Sequence, residues 1–265
     1  MEYVHGYSPR EHDRLLDQAD TLTDLLHRDT VYPAGSHVLE AGCGVGAQTA
    51  ILTRHSPAAR FTAIDLSPES IGLARAMAAR RGLANVTFQV ADIFALPFEP
   101  ASFDHVFVCF TLEHLQAPVE ALTRLKEVLK PGGAITVIEG DHGSTTFYPE
   151  SRTALRTVQC LIHLQAECGG DSLIGRRLYP LLREAGFRDV AVSPRMVYVD
   201  ASRPDLVDGF TRLTFIAMVA GVREQAIRGK LMDAASFDRG IADLYETTAP
   251  DGIFCYTFFK GVAVR

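Results

Sequence analysis

The chain has 265 residues, 47% of them hydrophobic, which is enough to bury one large core with a small appended lobe. Its 26 basic and 32 acidic side chains leave a net charge of −6, and no lysine–arginine block is dense enough for a nucleic-acid groove; Arg80-Arg81 and Arg176-Arg177 are only pairs. Cys43, Cys109, Cys160, Cys168 and Cys255 are scattered and form no C-x-x-C pair, which argues against a disulfide framework or a zinc site, so no metal is expected.

Met1-Glu-Tyr-Val-His lacks the basic and apolar regions of a signal peptide. The longest apolar stretch, Ile253 to Val264, contains Lys260 and is too short to span a bilayer. A cytoplasmic protein without a membrane span is expected.

Helical periodicity runs from about Arg10 to His27, with Leu15, Leu16, Ala19, Leu22, Leu25 and Leu26 at i, i+3, i+4 spacing. Strand 37–41, helix 46–55, strand 60–65, helix 68–81 and strand 86–91 follow. Ser67-Pro68 is a strong helix start and Gly82 a stop. Strand 104–109, helix 117–128 and strand 134–139 complete this half, with Pro131-Gly-Gly133 read as the turn between the last two. Alternating strands and helices of this kind predict an α/β fold with a parallel sheet covered on both faces.

Beyond residue 140 the pattern is less regular. Residues 150–168 read as a helix ended by Gly169-Gly170, Ser172 to Ala185 as another, and Val190 to Val199 as a strand. Pro204 to about Arg228 and Ala234 to Thr247 read as helical, and Ile253 to Val264 as a final strand after Pro250-Asp-Gly252.

The densest signal is His37-Val-Leu-Glu-Ala-Gly-Cys-Gly-Val-Gly-Ala-Gln-Thr49, a short apolar strand, three alternating glycines and a helix start. Glycines there let the backbone bend tightly and let a ligand lie against main-chain N–H groups at the positive end of a helix. Gly42, Gly44 and Ala47 also satisfy the dinucleotide pattern G-x-G-x-x-G/A, so a nicotinamide or flavin enzyme is a rival reading. Glu40 weighs against it, because an acid beside this turn suits a positively charged amino acid moiety better than a pyrophosphate. Asp65, at the end of the second strand, is placed to accept ribose hydroxyls under either reading. The third strand ends in Asp92-Ile93, followed by Leu96-Pro97-Phe98, which the dinucleotide pattern does not require.

Together with Ser102-Phe-Asp-His-Val-Phe-Val-Cys-Phe110, Leu112-Glu-His-Leu115 and Leu129-Lys-Pro-Gly-Gly133, these segments resemble the class I S-adenosylmethionine-dependent methyltransferases, especially the ubiquinone/menaquinone methyltransferase-like branch. The resemblance covers roughly residues 35 to 140. It implies a Rossmann-like doubly wound sheet, mostly parallel with an antiparallel last strand, and S-adenosyl-L-methionine as cofactor, with S-adenosyl-L-homocysteine as product. Carried over residue by residue, it places Glu40, Gly42 and Gly44 on the methionine part, Asp65 on the ribose, Leu66 beside the adenine, and Asp92 and Ile93 on the adenine edge. Cys109, at the end of the fourth strand, and His114 are assigned to the cofactor wall, and Tyr7 to a flap over it. Gln48 departs from the pattern beside Thr49, which would more often carry the polar contact, and is assigned to the cofactor at the helix start.

The expected organisation is one methyltransferase domain over 1–265: a core of 30–140 plus 172–199 and 252–265, a helical cap of 141–170 and 200–250, and an N-terminal flap over 1–29. The cap helices also offer a surface for self-association. His142, in Glu139-Gly-Asp-His-Gly143 after the fifth strand, is the candidate catalytic base, because ligands bind outside the carboxyl ends of the strands in open α/β sheets. Asp141, Arg176, Tyr179, Tyr3 and Phe215 are candidates for binding the acceptor. Arg176 and Tyr179 are expected on one helix, and Phe215 in an apolar stripe with Phe210, Ile216, Met218 and Val219. His163, among Leu161, Ile162 and Leu164, reads as a packed histidine. The expected activity is methyl transfer to a small, largely apolar organic acceptor at carbon, nitrogen or oxygen. A nicotinamide-dependent oxidoreductase and a catalytically silent cofactor-binding protein are the rivals.

Overall fold

The structure is a computed structural model that describes residues 19 and 21–265. Strands β1 (His37–Ala41), β2 (Arg60–Asp65), β3 (Val86–Val90), β4 (Phe103–Cys109), β5 (Leu129–Tyr148), β6 (Arg188–Val199) and β7 (Ile253–Val264) form one sheet in the order β3-β2-β1-β4-β5-β7-β6. The strands β3, β2, β1, β4 and β5 are parallel, with Leu39 facing Thr62 on one side and Val106 on the other. Helices cover both faces of these strands, which is why β1 reads Val-Leu-Glu-Ala without apolar–polar alternation and is buried throughout those four positions. The order reverses beside β1, and the chain folds its glycine turn at that switch.

The last strands are antiparallel. Thr257 N–H donates to Ser144 Oγ at 2.9 Å, and Arg265 N–H donates to Gly133 O at 2.9 Å, so β7 climbs while its partner β5 descends. Arg188, which opens β6, bonds the carbonyl of Arg265 just past the end of β7, so this pair also runs in opposite directions.

Helices α1 (21–27), α2 (Ala47–His55), α3 (Pro68–Arg81), α4 (Pro118–Val128), α5 (Arg152–Glu167) and α6 (Leu178–Glu184) follow the expected order. The described part of the expected Arg10–His27 helix is α1. Helix α3 begins and ends where its chemistry dictates: Ser67 Oγ accepts Ser70 N–H, Pro68 opens the first turn, and Gly82 closes it at φ 66°.

Three expectations are corrected. The fifth strand does not end at residue 139 but runs to Tyr148, and Pro131-Gly-Gly133 lies inside it. There β4 advances from Phe103 to His105 while β5 advances from Leu129 to Ala134, a bulge that Gly132 permits at φ 78°. The helix expected over Ser172 to Ala185 is a 3₁₀ turn, Ile174–Arg177, followed by α6. Pro204 to Arg228 is helical but broken into Pro204–Leu206, a π-helical Val207–Ile216, Ala217–Gly221 and Arg223–Arg228.

The described residues divide into two compact units, one of 19, 21–22, 141–173 and 196–258, the other of 23–140, 174–195 and 259–265. The second unit holds the main apolar core, in which Leu39, Val106, Leu122, Ile135 and Leu178 are fully buried. It also encloses Lys260, whose ammonium donates to Asp29 Oδ1 and Thr30 Oγ1, both at 2.7 Å, while Arg195 holds the other Asp29 oxygen at 2.5 Å. In the first unit α5 packs on the helix Ala234–Glu246, where Gly240 leaves room for Thr157 that a Cβ would take. Its centre is aromatic: Phe210, Phe215, Phe254, Tyr256 and Phe258 are each at most 2% exposed and pack ring against ring.

Candidate active site

In the second unit the glycine turn leaves β1 and is pinned to the end of β2. The main-chain N–H groups of Gly42 and Cys43 donate to Ile64 O at 2.8 and 2.9 Å. Gly44 N–H donates to Asp65 Oδ2 at 2.8 Å, and Asp65 Oδ1 accepts Ser67 N–H at 2.9 Å. One carboxylate therefore fixes both the turn and the start of α3. Gly42 has φ 78°, and a Cβ there would lie 2.3 Å from Thr111 Oγ1; Gly44 has φ 51° with open space around it. The first is needed for packing, the second for access.

Beneath the turn lies a cluster of buried polar groups. Glu40 is 2% exposed, and burial, with the charge of Asp65 adding to it, pushes its carboxyl up to about 8. The Glu40 carboxyl lies beside the Thr49 hydroxyl and the His27 ring beside the Gln48 side chain, and neither pair closes to a well-formed hydrogen bond. Burial lowers the His27 imidazole to about 4, so this ring is neutral at physiological pH. Its ring lies 5.8 Å from Phe107, the cross-strand neighbour of Glu40.

The remaining expected cofactor residues border the same turn or the neighbouring strand ends. Leu66, next to Asp65, is 63% exposed, an apolar side chain left facing outward. Asp92 is exposed and caps a short turn through Phe94 N–H at 2.9 Å, and Ile93 beside it is buried. Cys109 is buried at the end of β4, and burial pushes its thiol well up. His114 lies 3.7 Å from Glu113 on the 3₁₀ turn Leu112–His114.

The fully buried Glu139 holds that turn. Its Oε1 accepts the N–H of Thr111 at 3.0 Å and of Leu112 at 2.7 Å. Burial first, then the charge of Glu113, holds its carboxyl well above the usual range. Nothing in the sequence singles out Thr111, and for Glu139 the signal is only an acid inside an otherwise apolar strand.

His142 and Asp141 belong to the first unit. His142 lies within β5 rather than in a loop and is 6% exposed, with Nδ1 2.7 Å from the Tyr256 hydroxyl and its ring edge-on to Phe215. Asp141 is buried and accepts Gly143 N–H at 3.1 Å. Phe215 is 1% exposed within the aromatic centre of this unit. Nothing in the alternating aromatics of the β7 segment singles out the Tyr256 hydroxyl in the sequence.

Arg176 and Tyr179 are in the other unit and do not share a helix: Arg176 sits exposed on the 3₁₀ turn, and Tyr179, 51% exposed, on α6. His163 is a correction, since it is exposed on α5 and faces Glu167 at 3.2 Å instead of packing. Tyr3 and Tyr7 lie outside the described residues. No helix among the described residues is long and apolar enough to cross a membrane.

Comparison with known proteins places this geometry. A family model described as a methyltransferase domain matches residues 33–186. The O-methyltransferase cnsE of Penicillium expansum is 32% identical over 200 residues, covering 72% of this chain and 67% of that protein. A 37.1 kDa protein in transposon TN4556 of Streptomyces fradiae is 33% identical over 190 residues, 71% of this chain, and the chain spans only 54% of that protein's length. Among solved structures, the [4+2]-cyclase SpnF is 25% identical with a TM-score of 0.55, covering 91% of this chain and 80% of that one. The glycine turn, the Asp65 clamp, the seven-stranded sheet and this match over more than half the chain make it a member of the methyltransferase domain family, the class I S-adenosylmethionine-dependent methyltransferases.

Proposed function

We propose that the protein transfers a methyl group from S-adenosylmethionine to a small, largely apolar organic acceptor, with His142 as the base. The observation that carries the cofactor assignment is the glycine turn with its buried acid. Glu40 is a buried acid with only the Thr49 hydroxyl beside it, which suits the ammonium of a methionine moiety better than the negative charge of a pyrophosphate. Gly44 stands clear of neighbours, and Leu66 presents apolar surface next to Asp65, so the residues present fit the group.

Glu40, Gly42 and Gly44 would hold the methionine part, Asp65 the ribose hydroxyls, and Leu66, Asp92 and Ile93 the adenine. Gln48, Cys109 and His114 complete the cofactor wall in this reading. When bound, S-adenosylmethionine supplies an electrophilic methyl carbon on a sulfonium. What remains for the protein is to align the acceptor, exclude water and take up a proton where the acceptor carries one. His142 takes that proton, and Asp141 orients the acceptor. An apolar acceptor is supported by the aromatic centre of the unit that carries His142, and an oxygen atom by the O-methyltransferase among the relatives. Arg176 and Tyr179 are exposed and suit an anchoring role only for an acceptor with a charged end. We read 30–140, 172–199 and 252–265 as the methyltransferase core, 141–170 and 200–250 as the cap, and 1–29 as the flap.

A second reading, in which the scaffold shapes a small molecule without methylating it, draws support from the likeness to a [4+2]-cyclase. Calorimetric titration with S-adenosylhomocysteine, NAD⁺ and NADP⁺ in parallel tests the cofactor assignment. Micromolar binding of the first alone is expected, and binding of a nicotinamide cofactor instead overturns the assignment. Labelled methyl donor with a panel of apolar acceptors then separates transfer from silent binding.

A further inference from the structure

Tyr256 and His142 are 114 positions apart in the chain and form a buried pair within one unit. The hydroxyl oxygen lies 2.7 Å from Nδ1, with the ring centroids 5.8 Å apart and the planes tilted by 59°. Phe215 meets the imidazole edge-on at 6.1 Å and packs on Tyr256 at 5.7 Å, so it braces both rings. The main chain of His142 is fixed as well: its N–H donates to Ser172 O at 2.9 Å, and its carbonyl accepts the Thr145 hydroxyl at 2.8 Å. A ring gripped at its backbone, its edge and one nitrogen has a single orientation. Burying two polar rings in an aromatic centre is costly unless they are hydrogen-bonded, and packing alone would be met as well by apolar side chains.

We infer that Tyr256 is a positioning residue for His142: its hydroxyl oxygen accepts the Nδ1 proton, so that neutral His142 carries its proton on Nδ1 and acts as a base through Nε2. The inference rests on the reading of His142 as the base and deepens it. In the proton step the acceptor's bond to hydrogen breaks, the electron pair stays on the acceptor atom, and the proton binds Nε2. The imidazolium keeps its Nδ1–H bond to Tyr256, and Nε2 later returns the proton to water. A phenol oxygen accepts here while its own hydrogen turns elsewhere, since the hydroxyl rotates about its C–O bond. Were the roles reversed, Nε2 would carry a proton and His142 could not act as a base through that nitrogen.

Nitrogen-15 NMR of histidine-labelled protein reads the tautomer without any acceptor, with the His142 signals assigned by their loss in His142→Ala. The expected result is an Nδ1–H tautomer in the unmodified protein. In Tyr256→Phe the signals should move toward the Nε2–H form, and kcat should fall about tenfold with KM nearly unchanged, the scale of one orienting hydrogen bond. An Nε2–H tautomer in the unmodified protein overturns the inference, and that measurement needs no variant that must fold. A His142 signature that survives Tyr256→Phe overturns it too. Failure of the base reading shows differently: His142→Ala then keeps full kcat, whichever tautomer is observed.

Discussion

Glu139 and Thr111 lie 28 positions apart in the chain, yet Glu139 Oε1 accepts the Thr111 main-chain N–H at 3.0 Å. Through it the middle of β5 sets the turn after β4, where Phe110 takes φ 52°, and the Thr111 side chain fills the space that Gly42 leaves. Removing the carboxyl in Glu139→Ala strands the N–H groups of Thr111 and Leu112, the first part-buried and the second buried, and should cost roughly 2–5 kcal/mol in urea unfolding. Glu139→Gln keeps an acceptor oxygen and should cost less than about 1 kcal/mol. Equal losses in the two variants would mean that volume, not the hydrogen bonds, is what Glu139 supplies.

Glu40 links cofactor binding to protons. With its carboxyl at about 8, the free protein holds a proton there at neutral pH, and a bound ammonium favours the ionised form. Binding of S-adenosylhomocysteine should therefore release a proton, and affinity should rise with pH between roughly 6 and 8, by at most about tenfold per unit. Calorimetry in two buffers of different ionisation enthalpy counts the proton; a buffer-independent heat, or the same dependence in Glu40→Gln, rejects the linkage.

The same shift bears on stability. A carboxyl raised from 4.5 to about 8 in the folded state binds more protons folded than unfolded. Its contribution is then fullest below the unfolded value and is lost as pH rises from about 4.5 through 8. Cofactor-free protein should accordingly lose unfolding free energy across that window, and Glu40→Gln should flatten the loss.

Asp65→Ala should weaken S-adenosylhomocysteine binding by roughly 1–3 kcal/mol, the cost of an unmade charged hydrogen bond. Because Asp65 also holds Gly44 N–H and Ser67 N–H, the variant should lose stability as well. Unchanged calorimetric affinity would remove Asp65 from the cofactor site and leave it as a brace for the turn.

His142→Ala should leave cofactor affinity intact while slowing turnover about 10²- to 10⁴-fold, the range of general base catalysis. Full activity in the variant would return His142 to packing.

Gly42, Gly44, Asp65 and the Ser67-Pro68 start of α3 were readable in the sequence because the chemistry of each is local: turn, cap and strand end lie within a few positions of one another. The alternation of strands and helices likewise followed from local periodicity. The bulge at Pro131-Gly-Gly133 reads as a turn along the chain because only pairing with β4 shows that the strand continues. The π-helical Val207–Ile216 has no distinct sequence signal; the structure shows it with the rings of Phe210 and Phe215 packed on Phe254. The pairings Glu139 with Thr111 and His142 with Tyr256 were decided by the tertiary structure alone. A hydrogen bond between residues 28 or 114 positions apart leaves no trace in local sequence and exists only once the sheet brings its strands side by side.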